Sequence, residues 1–265
     1  MLKAESPLLT LLVTCRISPD ARVNSAKKTI VALNMPLEFE LVDGLIGEDA
    51  EVDALYNARR NRFGLKRPLS RVEIAVYGSH RRAWERLVQS GKPAALILED
   101  DFAIRDQATF LSVINSSAKI LGTERDIVKL FDFEKQVTKT PYFQRQVGDV
   151  TLVKWSSPTA GMVAYLITRE AAQKFLSRPR IWRQIDEDTK FFWELNLDIW
   201  SVLGCPVVDN SDVLGGSLIE GDRQRNRQRS LRRSLWGNVL AVNRRLRTRY
   251  HLLLERIKWS RLRNE

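Results

Sequence analysis

Three consecutive carboxylates, Glu99, Asp100 and Asp101, close an apolar run that begins at Ala94. Carboxylates crowded at the end of a buried strand repel one another and resist ionisation. A divalent cation is the obvious counter-charge. Mg2+ or Mn2+ prefers oxygen ligands and takes one or two protein carboxylates, with phosphate oxygens completing its shell. Two apart on an extended chain, Glu99 and Asp101 project to the same side, so one can hold the metal while the other contacts metal-bound water or a hydroxyl. Asp100 then faces the other way and pairs elsewhere. A solvated acidic turn after a strand has the same three letters, and the tripeptide alone does not separate the two readings.

The elements that must position these groups form an alternating pattern. Leu8 to Cys15 reads as a buried strand, Ser18-Pro19-Asp20 as a turn and helix start, and Ala21 to Leu33 as a helix. Phe39 to Val42 is a strand ended by Asp43-Gly44, whereas Ala50 to Gly64 is polar and undecided. Arg71 to Ser90 has helical apolar spacing and stops at Gly91 and Pro93, ahead of the Ala94 to Leu98 strand. Beyond it, Phe110 to Ile120 is predicted helical, Ile127 to Phe131 a strand and Glu134 to Gly148 a loop or hairpin. Val150 to Trp155 and Met162 to Thr168 read as strands, Arg169 to Ser177 and Thr189 to Leu195 as helices. The last strand spans Ile199 to Val208, interrupted by Pro206. Strands alternating with helices define an α/β sheet.

Composition narrows the function classes. The chain has 265 residues and a mean hydropathy of −0.27, that of a globular protein. Its net charge of +11 is segregated: residues 222 to 265 carry 14 of the 43 Lys+Arg and 3 of the 32 Asp+Glu, leaving 29 of each in the body. A uniformly basic nucleic-acid-binding surface is therefore a poor description. Cys15 and Cys205 lie in apolar runs, as buried thiols do, and no run approaches the roughly 20 apolar residues that span a bilayer. Leu8 to Cys15 imitates a lipoprotein signal, but only Lys3 precedes it, offset by Glu5, and Thr14 is bulky for processing. A cytoplasmic location is expected.

The order of several motifs resembles glycosyltransferase family 25, the bacterial lipopolysaccharide glycosyltransferases related to collagen galactosyltransferases. Glu73-Ile74, Ser79-His80, Trp84 and Leu98-Glu99-Asp100-Asp101 follow one another at compatible spacing. Gly161, Tyr165-Leu166-Ile167 and Ala171 fit a later strand and helix, and Ile185-Asp186 with Asp188 a Val-Asp-x-Asp segment. Cys205-Pro206-Val207-Val208, Ser217-Leu218-Ile219, Asp20-Ala21-Arg22 and Val42-Asp43-Gly44 complete the likeness, which covers residues 8 to 220. The chain departs from the pattern at Val72, Ala75 and Val76, in place of Gly, Gly and Cys, and at Gly78, in place of a larger residue.

The resemblance implies a GT-A-like sheet over residues 1–221 and inverting transfer of a hexose from a UDP-sugar, galactose or glucose, to a lipopolysaccharide or related lipid-linked glycan. It implies Mn2+ or Mg2+ on Asp101 and Glu99. Asp186 and Asp188 become the general-base candidates, since a neutral acceptor hydroxyl attacks poorly. Arg22 can meet the donor's phosphate or ribose. Glu73, Tyr77, His80 and Trp84 share one helix face. Glu73 and His80 either shape the nucleotide pocket with Glu99 or form a buried His–Glu hydrogen bond. Trp155, Trp182, Trp193 and Trp200 can stack on sugars, although core packing is the commoner role.

Residues 222–265 stand apart. Val239, Val242, Leu246, Tyr250, Leu253 and Ile257 recur at spacings of three and four, with arginines filling much of the rest. Such a basic amphipathic helix suits an anionic membrane surface, placing the protein peripherally on the inner face of the cytoplasmic membrane. The same stripe can instead pack on the catalytic body or a second subunit. Nucleic-acid binding through Arg223 to Arg233 is a weaker reading. The contrasting possibility for the whole chain is a non-catalytic relative docking through this tail.

Overall fold

The structure is a computed structural model that describes residues 8–33, 38–133, 140–214, 216 and 231–262. Strands β1 (Leu9–Thr14), β2 (Glu38–Asp43) and β3 (Ala94–Glu99) open an eight-stranded sheet, completed by β5 (Ile127–Lys129), β6 (Phe143–Val147), β7 (Val150–Lys154), β8 (Ala164–Thr168) and β9 (Ile199–Val202). Their spatial order is β2-β1-β3-β8-β5-β9-β7-β6. β1 runs parallel to both β2 and β3, while β8 is antiparallel to β3 and to β5. A separate ribbon pairs β4 (Phe102–Ile104) with β10 (Val207–Asp209). This is the mixed α/β sheet of a GT-A-like fold.

Two apolar clusters cover the faces of the sheet. One gathers Leu9, Leu11, Ile97, Tyr165 and Ile167 with Tyr77, Trp84 and Leu87 of helix α4 (Arg71–Ser90). The other gathers Leu12, Leu96, Leu98 and Leu166 with Ala26 and Ile30 of α1 (Asp20–Ala32) and Phe110 and Val113 of α5 (Gln107–Asn115). Continuous apolar strands are what a sheet covered on both faces requires.

Helix α4 has the bounds that its sequence predicts. Ser70 accepts from the Glu73 N–H while the Glu73 carboxylate accepts from the Ser70 N–H, and Gly91 closes the far end at φ +69°. The undecided stretch contains two short helices, α2 (Ala50–Leu55) and α3 (Ala58–Gly64), the second capped by the Asn57 side chain. The helix predicted over Phe110 to Ile120 divides at Ser116 (φ −111°) into α5 and α6 (Ser117–Leu121). The strand expected over Ile199 to Val208 also divides. Cys205 adopts φ +47°, and the turn sends β10 out of the main sheet to pair with β4.

After α7 (Arg169–Leu176), residues Ile185–Asp188 form the single turn α8, and Thr189–Glu194 is a 3-10 helix rather than an α-helix. Helix α9 (Leu231–Leu262) lies against the body. Leu252 and Thr248 are buried, His251 stacks on Trp193 with ring centroids 5.4 Å apart, Glu255 pairs with Lys154 at 2.5 Å and Arg244 pairs with Glu187. The proposed boundary between 221 and 222, the Ser217-Leu218-Ile219 motif and most of the Arg223 to Arg233 run lie outside the described residues.

Candidate functional site

A cleft opens beyond the C-terminal ends of β1 and β3, where an α/β sheet presents side chains to ligands. Six of the seven residues singled out in the sequence line it: Arg22, Glu73, His80, Glu99, Asp101 and Asp186. Asp188 does not.

β3 ends at Glu99 and the chain turns through Asp100 and Asp101, so strand alternation stops there. Asp100 therefore also lines the cleft instead of pointing away from it. Its Oδ2 accepts from the hydroxyls of Thr14 at 2.6 Å and Ser18 at 2.5 Å, and its Oδ1 lies 3.6 Å from the Arg22 guanidinium. Arg22 is buried, reaches Asp101 at 3.2 Å, and donates to the carbonyls of Leu214 and Gly216. Held this way, Arg22 is an internal counter-charge rather than the free phosphate contact that the resemblance implies.

One arginine does not balance this cluster. Burial pushes the Asp101 carboxyl up to about 8, helped by repulsion from Glu99, Asp209 and Asp100 and opposed by Arg22. Its Oδ1 is buried and has no hydrogen-bond partner among the described residues. Such an orphan normally calls for a ligand or ion.

Glu99 is oriented by a buried chain of rings. Trp84 Nε1 can only donate, and Tyr165 Oη accepts it at 3.0 Å. The tyrosine hydrogen is then directed to His80 Nδ1 at 2.9 Å, which leaves Nε2–H to donate to Glu99 Oε1 at 3.1 Å. His80 and Tyr165 are almost wholly buried, whereas the Glu99 side chain is 29% exposed toward the cleft. His80 therefore pairs with Glu99, not with Glu73 as a helix-anchoring hydrogen bond would require.

Glu73 caps its helix, binds Arg67 bidentately at 2.8 and 2.5 Å and accepts from Gln184. Burial opposes its ionisation, but Arg67 and the Ser70 N–H outweigh burial and hold it below the ordinary glutamate range. Its role is to join α4 to the 184–186 segment on the cleft wall. Asp186, on that segment, is half-buried, and its carboxylate makes no hydrogen bond or ion pair among the described residues.

Asp188 is the opposite case. Arg178 reaches both its oxygens at 2.8 Å, Arg183 reaches Oδ1 at 3.1 Å and Tyr77 donates to Oδ2 at 2.8 Å. With its lone pairs committed and only 4% exposure, Asp188 locks a loop and is not placed to accept a proton from an acceptor. The four tryptophans also lie off the cleft. Trp155 donates to Asp132 and Trp200 to Asp198, Trp182 lies under Arg60, and Trp193 meets α9.

Of the altered residues of helix α4, Gly78 is the site of close packing. A Cβ on Gly78 would overlap the Leu45 side chain and press on Leu55 at 3.3 Å. Glycine is therefore what lets the helix approach the loop after β2, where Ser79 accepts from the Leu45 N–H at 2.9 Å. Val76 contributes apolar wall to the cleft.

Sequence reasoning missed Thr14 and Ser18, which clamp Asp100, and also Gln184, Asp209 and Ser211 on the cleft wall. Tyr165 was legible only as part of a motif, without its role as the hinge of the ring chain.

No trio of His, Cys, Asp or Glu able to hold a metal alone occurs among the described residues. The donor set still fits a cation that shares its shell with a diphosphate. Asp101 offers an orphan oxygen, Glu99 a partly exposed carboxylate, and the cluster carries excess negative charge.

The cleft thus sits at the strand ends of the mixed α/β sheet, with an over-charged acidic wall and, beside it, a carboxylate that is unpaired among the described residues. The family model for glycosyltransferase family 25 (LPS biosynthesis protein) matches residues 18–190, and the chain belongs to that family. No curated protein matches the chain.

Proposed function

We propose that this protein transfers a hexose, galactose or glucose, from a UDP-sugar to a hydroxyl of a lipid-linked lipopolysaccharide-type glycan, with inversion at the transferred carbon. The observation that carries the reading is one cleft holding both Asp101, whose buried Oδ1 lacks a partner among the described residues, and Asp186, whose carboxylate is unpaired among them. Asp101, with Glu99 second, would hold Mn2+ or Mg2+. When bound there, the cation stabilises the charge developing on the diphosphate leaving group. Glu99 keeps its orientation through His80, and Arg22 limits the repulsion among the carboxylates. Asp186 accepts the acceptor proton, and Glu73 fixes the segment that carries it.

UDP release in the presence of Mn2+, a UDP-hexose and a lipopolysaccharide-type acceptor tests the reading. General-base removal in Asp186→Asn should cut the rate by about 10²–10⁴-fold while UDP binding persists. Unimpaired transfer by that variant would falsify the base assignment.

A further inference from the structure

The apolar stripe read from the tail sequence is not the face by which α9 packs on the body. The packed face is built from Arg244, Thr248, His251, Leu252 and Glu255. At 3.6 residues per turn, Val239, Val242, Leu246, Tyr250, Leu253 and Ile257 fall on the opposite side. All six are exposed, from 41% at Ile257 to 62% at Leu246. They form a continuous ridge about 27 Å long, at 1.5 Å of rise per residue.

The borders of the ridge identify its partner. By the same geometry Arg245, Arg249 and Arg256 run along one edge and Arg247 along the other, and all four are exposed. Among the described residues of α9 the sole carboxylate is Glu255, turned inward to Lys154. The outward half thus combines a central apolar ridge, widened by the exposed Trp236 and Leu254 on the Arg247 side, with margins whose charges among the described residues are all cationic. A second copy of the chain would bring arginine margins against arginine margins with no carboxylate on either ridge to neutralise them. A nucleic acid would match the margins but leave the ridge without a partner.

We infer that the outer face of α9 is a membrane-docking surface for bilayers rich in anionic phospholipid. The ridge enters the boundary between headgroups and acyl chains, and the arginines meet the headgroup phosphates. The packed face keeps the catalytic body attached, since Glu187, next to Asp186, holds Arg244. Body and bilayer therefore take opposite sides of one helix. The surface does not depend on the reaction proposed above, so vesicle binding and UDP release succeed or fail separately.

Co-sedimentation of the full chain with vesicles tests the inference, using phosphatidylcholine alone or mixed with phosphatidylglycerol, at low and high salt. The protein should bind the mixed vesicles, and high salt should weaken that binding. The triple variant Arg245→Gln/Arg249→Gln/Arg256→Gln should lose about a hundredfold in partitioning. Leu246→Glu/Leu253→Glu should not bind, with an unchanged circular-dichroism spectrum showing that it folds. Equal binding by the wild type and the Leu246→Glu/Leu253→Glu variant overturns the inference. So does a wild-type dimer in sedimentation velocity that this variant breaks without any vesicle binding.

Discussion

Asp101 and Asp188 are both buried aspartates, yet they are held in opposite ways. Around Asp188 two arginines and a tyrosine hydroxyl satisfy the carboxylate, and Glu194 pairs in turn with Arg178 and Arg183. Around Asp101 the neighbours are mostly other carboxylates, Arg22 is shared with Asp100, and one oxygen has no partner among the described residues. The first arrangement is complete within the chain and fixes a loop. The second gives up stability for a site that a ligand can complete, as active sites commonly do.

Breaking the completed cluster should have the largest effect. Asp188→Ala leaves Arg178 and Arg183 with Glu194 as their one shared carboxylate and strands the buried Tyr77 hydroxyl, which should cost about 3 kcal/mol in urea unfolding. A loss below about 1 kcal/mol would mean that Glu194 and solvent already compensate these arginines. Asp186→Asn should leave the unfolding midpoint unchanged while transfer collapses, so the two aspartates of one short segment separate stability from activity.

The ring chain gives an intermediate effect. Tyr165→Phe strands Trp84 Nε1 and His80 Nδ1, and should destabilise the fold by about 1–3 kcal/mol. Transfer should fall less than in Asp186→Asn, because Glu99 keeps its carboxylate and loses only its orientation. If the melting temperature and UDP release both match the wild type, the chain does not hold Glu99.

An effect that depends on pH sharpens the other side of the comparison. Asp101 titrates near 8 when folded, against an ordinary value of 3.8. Between those values the native state holds a proton that the unfolded chain has lost, so rising pH destabilises the cation-free protein. Asp101→Asn removes this dependence, and its gain in melting temperature should grow from pH 5 to pH 8. A gain independent of pH would refute the raised titration.

Much of this was legible because it was local. Ser70, Glu73 and Gly91 announced both ends of α4, and the apolar run to Leu98 announced β3 and the carboxylates at its end. What escaped was set by distant partners. Nothing near Asp188 in the chain distinguishes it from Asp186, because the selection is made by Tyr77, 111 residues earlier, and by the path that brings Arg178 round. The β4–β10 ribbon joins segments a hundred residues apart, and Thr14 and Ser18 reach Asp100 across more than eighty. The tail stripe was read correctly as a stripe. Its direction was undecidable until the inward contacts of Thr248, His251 and Leu252 fixed the rotation of the helix.

The contact between Gly78 and Leu45 links the identities of two positions 33 residues apart. Leu45 occupies the volume that a side chain at 78 would need, so space is conserved across the contact and not at either residue. A larger residue at 78 requires a smaller one at 45, and each change made alone should be worse than both together. Family members with bulk at the position of Gly78 should therefore show a compensating loss of bulk opposite it. The departure from the family pattern at Gly78 is then an exchange of bulk with Leu45 in packing.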